Sequence, residues 1–257
     1  PLSWKECPTA STSGDINADN TGHIFEGCKK LTKISVNSKM NQIPSFGFCG
    51  ANYLETIILP EGLTQIKNHT FFGCSKLVNV NIPDTVAVLK KSAFCGCSAL
   101  TEIQLSENLA DINSFAFDGC KSLKKIKVPD TVTKLGYQCF ANCTNLEEIN
   151  IPAGWKECPS DTGNTGLGNQ GSIFINCDNL VSVTVPEGIT EIPDFGFSNC
   201  NKLRDVQLPE SLLKIGKYAF YNCLNLSSSA VPQKVVEISQ EAFSKCKSLL
   251  VVNIPDS

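Results

Sequence analysis

The stretch Pro83–Ile112, PDTVAVLKKSAFCGCSALTEIQLSENLADI, decides the fold. It reads P-x-x-V-x-x-L-x-x-x-A-F-x-x-C-x-x-L-x-x-I-x-L and then starts the same phrase again at Ser106, Leu109 and Ile112. Outward from it, Cys74, Cys97, Cys120 and Cys143 fall 23 residues apart, as do Cys177, Cys200, Cys223 and Cys246. Cys28 belongs to the same set, with Ala51 in the slot between it and Cys74. A Phe stands three residues before each of these ten slots, from Phe25 to Phe243, and a Leu three after, from Leu31 to Leu249. A fixed period between 20 and 50 residues is the signature of a solenoid and overrides any domain count drawn from length.

The markers Pro1, Asn37, Pro60, Pro83, Ser106, Pro129, Pro152, Pro186, Pro209, Pro232 and Pro255 bound ten units, eight of them 23 residues long. The two long units are 1–36 and 152–185. L-x-x-I-x-L, as in Leu123, Ile126 and Val128, alternates like a short strand with one apolar face. The following Pro has no N–H for a ladder and ends the strand. A second apolar pair, such as Val132 and Leu135, points inward from the opposite wall. A-F-x-x-C is too short for a full helix and reads as one or two turns that bring the chain round. No unit can bury these positions alone, whereas stacking at ~4.8 Å sets each Phe on the next.

L-x-x-I-x-L-P and A-F-x-x-C resemble the 23-residue Treponema-type repeats of the BspA-like leucine-rich family. The resemblance covers the whole chain apart from the two insertions. It implies an α/β solenoid: a right-handed leucine-rich array of about ten units with one parallel sheet on the concave face, residues 1–257 forming a single domain. It also implies a non-enzymatic secreted or cell-surface module that adheres to a host or microbial surface protein or a matrix component. Spacer repeats that display another domain, or an intracellular scaffold, are the alternatives. The chain opens at Pro1 without an initiator Met, and its outer units lack polar caps, so it is expected to be a piece of a longer array.

Composition narrows the function. The 257 residues are 42% hydrophobic and 18% charged with a net charge of -3, which is globular and offers nothing to nucleic acid. No apolar run approaches the ~20 residues that span a bilayer, so membrane insertion is not expected of this segment. Two His and one Met leave little material for a metal site, and no cofactor is expected. His23 and His69 have no recurring Ser or Cys partner, and the adjacent Glu147 and Glu148 face opposite sides of a strand, so no catalytic set can be assembled. GLGNQG at 166–171 is a literal G-x-G-x-x-G, but Phe174 and Cys177 after it are ordinary repeat positions where a dinucleotide site needs a helix.

The cysteines are expected to be thiols. Stacked Cβ atoms sit one strand spacing apart with parallel vectors, while a disulfide wants ~3.8 Å and a twist. Cys49, Cys95 and Cys139 lie off the ladder, and the pairing of these and of Cys7 and Cys158 is open. Phe46, Phe72, Phe115 and Phe195 are left over from the Phe ladder as candidate exposed rings.

Binding is sought in two places. The outward strand positions are polar and carry no aromatic ring, and Lys125 and Lys127 beside Glu148 are their one charge cluster. Trp4 and Trp155 occur in identical WKECP strings 151 residues apart, and IPSFGF at Ile43 matches IPDFGF at Ile192, so six-unit blocks are duplicated. Trp155 falls in a core slot three residues after Pro152. The insertion that follows, rich in Gly, Ser, Thr, Asn and Asp, reads as an exposed loop. Loops on a rigid scaffold commonly carry function, so Asp161, Asn164 and Asn169, with the edge of Trp155, join Lys125, Lys127 and Glu148 as candidate contacts.

Overall fold

A computed structural model describes residues 24–156 and 173–253. Its first wall is built from the L-x-x-I-x-L segments: β1 (Lys33–Ser35), β2 (Thr56–Ile58), β4 (Asn79–Asn81), β6 (Glu102–Gln104), β8 (Lys125–Ile126), β10 (Glu148–Ile149), β11 (Ser182–Thr184), β13 (Asp205–Gln207), β15 (Ser228–Ala230) and β17 (Val251–Asn253). Its second wall consists of two-residue strands: β3 (Gln65–Ile66), β5 (Val88–Leu89), β7 (Asp111–Ile112), β9 (Lys134–Leu135), β12 (Glu191–Ile192), β14 (Lys214–Ile215) and β16 (Glu237–Ile238). All pairing is parallel and in repeat register: Ile34 lies beside Ile57, Val80 beside Ile103, Val183 beside Val206. The result is a parallel β-solenoid of about eight full turns.

Two expectations need correction. No helix occurs among the described residues, so the α/β label is not confirmed, and strands line both walls rather than one. The count of ten units also extends into residues 1–23 and 157–172, which lie outside the described residues, as do His23, Cys7, Cys158 and the GLGNQG string.

The backbone of the connecting arch explains why no helix forms. Two columns of residues sit in the left-handed region. One holds Gly27, Gly50, Gly73, Gly96 and Gly119 and continues as Asn142, Asn176, Asn199 and Asn222 to Lys245, with φ between 55° and 75°. Gly and Asn are the residues that enter this region most readily. The other column, two residues before each Phe, holds Phe46, His69, Ser92, Phe115, Gln138, Phe195, Tyr218 and Glu241. Between the columns, amides alternate. Cys49 N–H donates to Phe46 O within its turn, while Phe46, Phe48 and Gly50 donate to Asn68, Thr70 and Phe72 O of the next turn. These arch amides thus find partners without a helical ladder.

Inside, the ten repeat Phe form one stack with centroids 5.0–6.0 Å apart. Eight of them are fully buried, each stabilising its turn by about 1.5–3 kcal/mol through burial alone. Beside them the repeat thiols donate to the Phe carbonyl of the preceding turn: Cys74 to Phe48 O (3.1 Å), Cys120 to Phe94 O (3.3 Å), Cys143 to Phe117 O (3.2 Å), Cys223 to Phe197 O (3.1 Å). That carbonyl also accepts its own i+3 amide, so the thiol fills the second lone pair. The nine repeat cysteines and Cys95 are free thiols. Burial holds Cys97, Cys120 and Cys177 well above the usual thiol range and pushes Cys74 up to about 12. Such thiols are packing groups, not nucleophiles.

Candidate functional site: the seam at the inserted unit

The first-wall ladder runs unbroken from β1 to β6 and then parts at three places, between β6 and β8, between β10 and β11, and between β13 and β15; the second of these is where the 34-residue unit begins. The last rung before this gap, between β8 and β10, differs from the others. Elsewhere a backbone amide closes the last rung, as Ile82 N–H does on Gln104 O and Val185 N–H on Gln207 O. At β10 the Asn150 side chain takes that place: Val128 N–H donates to its Oδ1 (2.8 Å), and its Nδ2 donates to Val128 O (2.7 Å). The turns on either side remain joined through the arch. Phe140 and Asn142 amides donate to Ile173 and Ile175 O, and Asn176 Nδ2 donates to Asn142 Oδ1 (2.8 Å), which continues an amide ladder begun by Asn142 Nδ2 on Asp118 Oδ1 (2.7 Å). The Phe stack is at its widest here, 5.8 Å from Phe140 to Phe174 and 6.0 Å from Phe174 to Phe197.

Two cavities open along this seam. One of ≈ 730 Å³ is lined by Glu147, Asp178, Asn179, Val181, Lys202 and Arg204. The other, ≈ 420 Å³, shares Glu147 and runs along Glu148, Asn150, Ser182 and Thr184 to Pro186. Both lie in the size range of ligand sites.

The structure brings together some of the anticipated residues and separates others. Lys125 Nζ donates to Glu148 Oε2 at 2.6 Å across paired strands, and this bond raises the lysine's pKa. Lys127 does not join them; it reaches Glu107 at 3.4 Å. On the second wall, Lys214 bridges Glu191 (3.2 Å) and Glu237 (3.8 Å). Trp155 is a correction: it is 2% exposed and packs edge-on against Phe197 at 5.9 Å, so its ring cannot present an edge to a partner. Its slot belongs to the second wall, where Val132 and Leu212 are equally buried. Asp161, Asn164 and Asn169 lie outside the described residues. Among the described residues no three His, Cys, Asp or Glu side chains group as a metal site, and no helix is long and apolar enough to cross a membrane.

Sequence reasoning missed Lys202, Arg204, Glu147 and Asp178 as a group, because they come from three turns and precede or follow the strands rather than lie in them. The available signal was Arg204 itself, the single arginine among 22 basic residues. Sequence did flag the off-ladder Phe. Phe46, Phe115 and Phe195 are half-buried, stand in left-handed backbone three turns apart, and pair with His69 (4.7 Å), Tyr137 (5.2 Å) and Tyr218 (5.0 Å).

Comparison with known proteins accords with this geometry. No curated protein matches the chain. Among solved structures, a Treponema pallidum leucine-rich repeat protein is 26% identical with a TM-score of 0.55, covering 76% of this chain and 78% of that one. A leucine-rich repeat protein from Eubacterium ventriosum (22% identical, TM-score 0.60, 88% of this chain and 60% of that one) and the pneumococcal vaccine antigen PcpA (23%, 0.54, 88% and 62%) share the fold. The profile of the BspA type leucine-rich repeat region matches six copies over residues 65–162 and 170–257. With its Phe and Cys columns in those same copies, the chain belongs to the BspA-type leucine-rich repeat family.

Proposed function

We propose that this chain is a non-enzymatic binding module displayed outside the cell or on its surface, and that the seam at β10 and β11 is its contact face toward a host or microbial surface protein or a matrix component. One observation carries the reading. One of the partings of the first-wall ladder falls at the turn whose sequence holds the insertion, and two cavities lined largely by charged and polar residues lie along it. Elsewhere the first wall presents polar and charged groups and one exposed apolar residue in its interior, Ile58, which gives a partner few apolar anchors. That uniformity is what a spacer would have, and it favours the second reading, repeats that only extend a surface protein. The test is adhesion of the purified protein to a surface coated with extracellular-matrix extract, compared with a variant lacking residues 159–169, which restores a 23-residue unit. The binding reading expects the deletion to lose most of the adhesion while the far-ultraviolet spectrum is unchanged; equal adhesion of parent and deletion overturns the seam as contact face.

A further inference from the structure

Resting on the reading of the seam as contact face, we propose that the ≈ 730 Å³ cavity takes an extended peptide segment of a partner that presents one basic and one acidic side chain two residues apart. Its charges are sorted by turn. Glu147 precedes β10 and Asp178 precedes β11, while Lys202 and Arg204 precede β13. None of the four makes an ion pair with another described residue, whereas charges around them do: Lys125 with Glu148 at 2.6 Å, Lys127 with Glu107 at 3.4 Å, Lys214 with Glu191 at 3.2 Å. The cavity therefore holds a negative and a positive side, neither of them closed by an ion pair among the described residues.

The sorting selects the ligand. A polyanion such as nucleic acid meets Glu147 and Asp178, and a simple cation meets Lys202 and Arg204, so each is repelled by half the site. A free amino acid carries both charges but fills little of an open cavity this size. Successive turns are roughly 5 Å apart, which sets the two sides roughly 5–10 Å apart, and side chains at i and i+2 of an extended strand are spaced roughly 7 Å on one face. The Arg204 guanidinium offers a carboxylate two parallel N–H donors. Glu147 and Asp178 accept from an ammonium, Asn179 offers an amide to the peptide backbone, and Val181, 45% exposed, supplies an apolar floor.

Capped, fluorescein-labelled Gly-Lys-Ala-Asp-Gly is the probe, with Gln/Asn, Lys/Lys and Asp/Asp versions as controls, read by fluorescence polarisation. We expect the mixed-charge peptide to bind roughly tenfold more tightly than any control and to weaken as salt rises from about 0.05 to 0.5 M. Arg204→Glu and Arg204→Gln should abolish that preference, and Lys214→Glu, outside the cavity, should keep it. Equal binding of the neutral peptide, or an unchanged preference in both Arg204 variants, overturns the inference. If the 159–169 deletion loses adhesion while the peptide shows no preference, only this inference falls. If the peptide preference holds and neither the deletion nor Arg204→Glu affects adhesion, the peptide site stands and the contact-face reading falls.

Discussion

His69 should make the stability of this protein depend on pH in a way one substitution removes. The imidazole is 5% exposed, lies flat on Phe46 at 4.7 Å and against Phe72 at 5.7 Å, and its Nδ1 has no hydrogen-bond partner. Burial, with the Lys91 ammonium nearby, lowers its pKa from 6.5 to about 4. The unfolded chain therefore binds a proton before the folded one does, and stability is lost as pH falls from 6.5 toward 4. Between pH 7.5 and pH 5.0 the loss attributable to this ring is about 2 kcal/mol. His69→Phe should remove it without strain, because Phe46, Phe115 and Phe195 occupy the same slot with φ of 58–61° against 54° at His69. Urea unfolding of both proteins at both pH values isolates the ring, since the carboxylates are common to both. The gap between them should widen by about 1 M in midpoint on acidification. Proton NMR of the two histidines gives an independent readout. Equal acid losses for parent and variant, or a His69 signal titrating near 6.5, would refute the reasoning.

Two further outcomes test the core. Phe117→Ala, in the middle of the stack, should cost roughly 3–5 kcal/mol, while Gln104→Ala on the outer face should stay within about 0.5 kcal/mol; equal losses in denaturant would mean that inward and outward faces are misassigned. Alkylation followed by peptide mass spectrometry should label Cys28 in the native protein and reach the buried thiols Cys97, Cys120, Cys143 and Cys177 only after denaturation without reductant. Finding fewer than about half of the repeat cysteines free at that point would replace the thiol column with disulfides.

Much of the fold could be read from residues because the solenoid writes its contacts in a period: Phe117 meets Phe140 and Cys143 meets Phe117 O at fixed offsets in sequence. The arch was harder. Its turn character was visible, but the Gly or Asn immediately before each repeat cysteine, as in Gly96 and Asn199, was the signal that excludes a helix altogether. The second wall was placed correctly as an inward-facing pair, yet two residues such as Lys134–Leu135 are too short a run for alternation to announce a strand. At the candidate site, Lys125 and Glu148 were found because they occupy one outward row. Arg204 and Glu147 stand on turns either side of the β11 turn and share a cavity only through the stacking of the turns, which no local propensity announces.

Because each turn bonds only to its two neighbours, the fold has a mechanical character that a globular domain lacks. Tension on the chain loads one rung at a time, so turns can peel away singly while the rest of the Phe stack holds. Each 23-residue turn occupies roughly 5 Å of the stack and draws out to roughly 75 Å of chain. Between β10 and β11, one of the places where the first wall has no rung, the load would fall on the Phe140–Phe174 contact, the Phe140 and Asn142 amide bonds to Ile173 and Ile175 O, and the Asn142–Asn176 amide bond. A segment of this kind, placed between an anchor and a moving ligand, yields in short steps and regains its length when the pull relaxes.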